Sequence, residues 1–63
     1  MTQKELSYVE DAIGHEVNII SICNETVKML TDSELINFIQ DEITKHTSNK
    51  QKLMNILEAC ANE

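Results

Sequence analysis

Two glutamates and a histidine, Glu16, Glu42 and His46, are the residues of this sequence whose types and spacing could support chemistry. Carboxylates and a histidine that project together into a helical core are ligands that iron and manganese accept. A carboxylate buried in such a core is costly unless it binds a metal, pairs with a partner or takes up a proton. One interpretation is therefore an iron or manganese site, and no other cofactor is expected.

The same residues also fit a structural role. Glu16, His46 and Asn49 would then form a polar layer inside a helical core, with hydrogen bonds across it. Such layers fix the register and the oligomeric state of helices at some cost in stability. In a third arrangement, a slight rotation of the helices moves Glu16 to the rim and brings three other residues into the contact: Val17, Ile43 and Lys50.

Two capping motifs predict the helices that must position these residues. Thr2 and Glu5 have the spacing of a capping box, and Thr31 and Glu34 repeat it near the middle of the chain. The sequence contains no proline and a single glycine, so little interrupts a helix. We predict one helix over about 3–30 and a second over about 32–61.

One alternative concerns the second helix. Serine and asparagine favour turns over helix interiors, so a break at 47–49 would divide the chain into three helices. A continuous second helix is favoured because the apolar pattern resumes in phase at Leu53. A fold about residue 32 would place Glu16 level with Asn49, and His46 level with residue 19.

Apolar residues recur at intervals of three and four along both segments, which is typical of helices that pack side by side. The predicted interface residues are Leu6, Val9, Ile13, Ile20, Cys23, Val27, Leu35, Ile39, Leu53 and Ile56. Two helices alone cannot enclose a core, and a chain of 63 residues is at most one small domain. We therefore predict an all-α antiparallel hairpin, a single domain over 1–63, that forms a homodimer or higher homo-oligomer as a four-helix bundle.

The charge of the chain excludes two classes of partner. Eleven acidic residues outnumber five lysines, arginine is absent, and the net charge is −6. A nucleic-acid-binding protein needs a cationic face that displaces counterions, and docking on an anionic membrane surface needs basic residues. We therefore expect neither nucleic acid nor a membrane as a partner.

Residues 4–16 and the segment from Asp32 to His46 resemble small clostridial proteins related to spore coat protein F. The shared pattern of the second segment is an Asp-x-Glu-Leu-x-x-Phe start followed by a histidine. That family belongs to the ferritin-like helical class. The resemblance implies a helical bundle with a structural or interaction role, no established catalysis, and a location in the cytoplasm or the spore coat. The metal alternative would make the chain a ferritin-like metal-binding bundle.

A second resemblance concerns His15, which precedes Glu16 and points away from the predicted interface. A histidine–glutamate pair on the first helix of a dimeric hairpin resembles the phosphoacceptor helix of histidine kinases. The corresponding alternative function is phosphotransfer through His15. The sequence thus favours a non-catalytic interaction protein, with metal binding and phosphotransfer as the alternatives.

Overall fold

The computed structural model describes residues 1–61, which form two α-helices: α1, Gln3–Met29, and α2, Ser33–Ala61. The helices pack antiparallel in a hairpin that measures 47 × 15 × 11 Å, and no strand occurs in 1–61. The predicted all-α hairpin is confirmed. Helix α2 is continuous through 47–49, where the Thr47 hydroxyl donates a hydrogen bond to the Ile43 carbonyl at 2.7 Å. Neither helix is long and apolar enough to cross a membrane within the part of the chain described.

Helix α1 begins with the predicted capping box. The Thr2 hydroxyl accepts a hydrogen bond from the Glu5 N–H at 3.0 Å, and the Glu5 carboxylate accepts one from the Thr2 N–H at 2.8 Å. The Thr2 N–H, followed by the Thr2 hydroxyl, holds the pKa of Glu5 below its ordinary value. The ionised carboxylate therefore stabilises the folded helix, and this contribution is lost as the pH falls through the lowered pKa.

The start of α2 differs from the prediction. Asp32, rather than Thr31, is the N-cap, because its carboxylate accepts the hydrogen bond from the Leu35 N–H at 3.0 Å. The Asp32 carbonyl also accepts the first bond of the helical ladder, from the Ile36 N–H. The capping box predicted for Thr31 and Glu34 is therefore wrong by one residue. Aspartate and threonine are both good caps, and their adjacency leaves the sequence ambiguous at this point.

The replacement Asp32→Ala is expected to lower the free energy of unfolding by about 1 kcal/mol, because it leaves a backbone N–H of the first turn without its acceptor. Urea denaturation followed by circular dichroism measures this loss. Thr31→Ala is the matched control and should change the stability by less than about 0.5 kcal/mol. A larger loss from Thr31→Ala than from Asp32→Ala would restore Thr31 as the cap.

The contact row of α1, its line of half-buried residues, follows the prediction. All six predicted interface residues of this helix are half-buried: Leu6, Val9, Ile13, Ile20, Cys23 and Val27. Glu16 lies in the same row, between Ile13 and Ile20. The three- and four-residue intervals of α1 therefore identified the side of the helix that meets α2.

The contact row of α2 is rotated relative to the prediction. Ile39 and Leu53 are half-buried as predicted, but Leu35 and Ile56 remain 53% and 49% exposed. The residue that follows each of them is half-buried instead, and Lys50 takes the place predicted for Asn49. The observed row packs five branched apolar side chains against α1, which explains the rotation: Ile36, Ile39, Ile43, Leu53 and Leu57.

Packing of the two rows does not create a closed core. None of the side chains of residues 1–60 is fully buried, whether apolar or polar. Each helix has one side against its neighbour and the remainder in solvent. Residues 1–60 therefore enclose no core, as expected for two helices without a third.

Candidate functional site

His46 lies between two carboxylates near the middle of the hairpin. Its Nδ1 is 2.5 Å from Oε2 of Glu16, which belongs to the other helix. Its Nε2 is 3.5 Å from Oε2 of Glu42, one turn earlier in α2. The three side chains are 23%, 17% and 28% exposed for His46, Glu16 and Glu42 respectively. This half-buried group forms the main polar contact between the helices, and we call it the Glu–His–Glu row.

The contact rows of the helices position the group. Glu16 lies three residues after Ile13 and four before Ile20, so it points at α2 with its apolar neighbours. His46 follows Ile43 by three residues and therefore faces α1. Glu42 precedes His46 by four residues, the spacing that brings two side chains together on one helix surface.

The chemistry of the Glu–His–Glu row depends on how many protons the imidazole carries. A neutral imidazole donates one hydrogen bond, whereas an imidazolium donates from both ring nitrogens and can serve both carboxylates. The short contact to Glu16 is typical of a charge-assisted hydrogen bond, while the longer contact to Glu42 is weaker. Glu42 also has Lys45 Nζ 3.5 Å from Oε1, although Lys45 is 71% exposed and contributes little. The row therefore links α1 to α2 through a polar contact near the middle of the hairpin.

An iron or manganese site needs ligands that converge on one metal position. Glu16, Glu42 and His46 do lie together, but the carboxylates approach opposite nitrogens of the ring and do not converge on one point. Within the described residues, no group of three His, Cys, Asp or Glu side chains is placed to hold a metal ion. The metal site stays a prediction that this arrangement does not support.

Asn49 does not belong to the polar layer. It is exposed, and Glu16 pairs with His46, three residues earlier in α2. Three residues correspond to about 4.5 Å along a helix, so the predicted register was displaced by nearly one turn. The cause is the centre of the fold, which lies at residue 31, midway between the end of α1 at Met29 and the start of α2 at Ser33, and not at residue 32.

His15 is exposed beside Glu16, as the sequence predicted. An exposed histidine is accessible to a phosphate donor. Phosphotransfer through His15 stays a prediction.

Sequence reasoning missed a set of exposed apolar residues on the outside of the hairpin. Four residues follow one another at intervals of seven along α1: Tyr8, His15, Ile22 and Met29. Three of these four are large and apolar, and each of the three is more than half exposed. A seven-residue interval keeps side chains on one side of a helix, so the signal was present in the sequence.

Comparisons of the chain with protein-family models, with curated proteins and with solved structures find no match. The features of the hairpin that bear on function are its half-buried Glu–His–Glu row and its exposed apolar side chains.

Proposed function

We propose that this chain is a non-catalytic interaction protein whose hairpins pair as a homodimeric four-helix bundle. The observation that carries the proposal is the amount of surface that the single hairpin leaves in water. The chain exposes 4845 Å². A compact monomer of 7.2 kDa exposes about 4,100 Å² by the general relation between mass and surface.

The excess of about 700 Å² is close to the area of about 800 Å² that each partner buries in a standard protein interface. One copy of the same hairpin is enough to cover it. A four-helix bundle would bury the outer apolar side chains of both copies and would turn two half-packed hairpins into one core. A structural role follows because the hairpin leaves large apolar side chains exposed as a packing surface.

A resemblance in the sequence also supports a structural or interaction role. Residues 4–16 and the segment from Asp32 to His46 resemble relatives of spore coat protein F, for which a structural or interaction role is the expectation. We extend the proposal to that setting, a spore-forming cell in which the bundle acts in the cytoplasm or the spore coat. Within the bundle, the Glu–His–Glu row acts as the polar layer that aligns the helices.

Native mass spectrometry and sedimentation velocity test the proposal. At micromolar concentration we expect a species of about 14 kDa, twice the 7.2 kDa of the chain, in equilibrium with the monomer at lower concentration. A folded monomer that persists to the highest accessible concentration would refute the homodimer. The same spectrum, recorded after growth with iron or manganese, reports any metal mass that the ferritin-like alternative requires.

A further inference from the structure

The exposed apolar residues of the hairpin lie mostly on one side. Nine large apolar side chains are exposed in the part of the chain described. Five of them directly precede a half-buried residue of a contact row, and Met29, the last residue of α1, follows Ile22 by seven residues on the same side of that helix. Together these six define what we call the front face: Tyr8, Ile22, Met29, Leu35, Phe38 and Ile56. Their exposed fractions range from 49% to 78%. Val17 and Met54 instead directly follow a half-buried residue.

Helix geometry converts this difference in sequence order into two faces. Successive residues of an α-helix turn by about 100° around its axis. In two antiparallel helices that face each other, the residue before a contact residue points to the same side of the pair from both helices. The residue after a contact residue points to the opposite side. The front face is therefore one continuous surface, and Val17 and Met54 lie on the back face.

We infer that a second copy of this chain docks on the front face, with its connection between the helices at the same end of the bundle. The inference rests on the proposed homodimer, and it adds which face of the hairpin is buried and how the two copies are oriented. A two-fold axis along the bundle places α1 of each copy over α2 of the other.

The uneven distribution of apolar residues favours this orientation. Four residues of the front face lie in the half of the hairpin nearest the connection: Ile22, Met29, Leu35 and Phe38. With the connections together, these four meet the same four of the second copy. With the connections apart, they would meet the sparser half, which contributes only Tyr8 and Ile56. Apolar burial is therefore greater when the connections share one end.

A charge near the middle of the front side agrees with the orientation. Lys45 precedes His46 of the contact row and lies near the middle of α2. The reverse orientation places α2 over α2 and brings Lys45 close to Lys45 of the second copy, whereas α1 over α2 keeps the two lysines apart.

The middle of the front side is polar, which gives the docking its register. His15, Lys45 and Asn49 each precede a contact-row residue and lie between the two apolar ends. Polar side chains at such places align helices by penalising shifted arrangements. Docking would also cover His15, so a phosphate donor would not reach it in the dimer.

Glutamate substitutions on the front face and on the back face test which face docks. Ile22→Glu and Phe38→Glu place a carboxylate on the front face, and Val17→Glu and Met54→Glu place one on the back face at comparable exposure. Sedimentation equilibrium should show that each front variant weakens the dimer at least about 100-fold, because two copies bury two charges in the interface centre. Each back variant should change the dissociation constant less than about threefold.

The outcomes separate the inference from the proposed function. A monomeric wild-type chain refutes the homodimer itself. A wild-type dimer that tolerates the front variants and is dissociated by the back variants refutes only the assigned face. Loss of the dimer in the front variants supports the face whether or not helicity is retained, since the back variants carry the same charge on the same helices.

A distance measurement tests the orientation. Thr31→Cys, in a chain with Cys23→Ser and Cys60→Ser, places one spin label at the connection of each copy. Double electron–electron resonance should give a distance below about 25 Å, since packed helices lie about 8–10 Å apart and the labels add the rest. Connections at opposite ends would be separated by about the 47 Å length of the hairpin, and that distance would overturn the orientation.

Discussion

Replacement of Glu16 by alanine is expected to lower the free energy of unfolding by about 2 kcal/mol per chain, because hydrogen bonds to charged groups contribute about 1.5–3 kcal/mol. Glu16 and His46 are 17% and 23% exposed, so water screens their contact only in part. The variant leaves His46 without its closest partner, 2.5 Å away across the hairpin. For a domain of this size the melting temperature should fall by about 10 °C. Urea denaturation and thermal melting measure both quantities.

Glu42→Ala is the matched control, since it removes a carboxylate from the other side of the same histidine. The contact of Glu42 with His46 is 3.5 Å long and Glu42 is 28% exposed, so the expected loss is below about 1 kcal/mol. Equal losses from Glu16→Ala and Glu42→Ala would show that the contact of His46 with Glu16 contributes no more to stability than its contact with Glu42. An increase in stability from Glu16→Ala would show that the Glu16 carboxylate destabilises the folded hairpin.

The double variant Glu16→Leu with His46→Leu separates the cost of a broken pair from the value of the intact pair. Replacement of both partners of a hydrogen bond by apolar groups can be nearly neutral or stabilising, because neither group is left without its partner. We therefore expect the double variant to be at least as stable as the wild type, although each single leucine variant is less stable. A double-mutant cycle gives the coupling between the two side chains.

The sequence predicted α1 well because a single feature dominates that helix. Its apolar residues recur at three and four positions from Leu6 to Val27, and Glu16 is the one polar interruption. Any rotation of α1 that buries most of this row also turns Glu16 toward α2. The half-buried glutamate was therefore predictable from α1 alone.

The rotation of α2 was less predictable because this helix has two apolar rows side by side. Leu35 and Ile36, and Ile56 and Leu57, are adjacent pairs, and either member of each pair could face α1. The choice depends on what the partner helix offers, which periodicity within α2 does not contain. The members that do not face α1, Leu35 and Ile56, are two of the six front-face residues, so the same ambiguity hid part of the exposed apolar face.

The partner of Glu16 was mispredicted for a different reason. Its identity depends on the length of the connection, and Thr31 and Asp32 both have the chemistry of a cap. The hairpin folds about residue 31, midway between Met29 and Ser33, and not about residue 32, so His46 rather than Asn49 lies level with Glu16. Local sequence fixes a cap only to within a residue or two, whereas a contact between side chains changes completely over that distance.

Unfolding of the wild-type chain is expected to depend on protein concentration, because the hairpin has no buried side chain among residues 1–60 and the proposed homodimer would supply its core. For a dimer that folds as it assembles, each tenfold dilution removes about 1.4 kcal/mol from the apparent stability. Unfolding enthalpies of about 0.7 kcal/mol per residue give about 90 kcal/mol for two chains of 63 residues. The melting temperature should therefore fall by about 5 °C per tenfold dilution.

Thermal melts followed by circular dichroism over a hundredfold range of concentration, about 2–200 μM, measure this dependence, which should total about 10 °C. Val17→Glu should reproduce it, since the back face lies outside the proposed interface. Phe38→Glu should melt at a temperature that does not change with concentration, or should lack a cooperative transition, because it alters the face that would complete the core in the proposed dimer. A constant melting temperature for the wild type would mean that two helices held by the Glu–His–Glu row and two apolar rows fold without a partner.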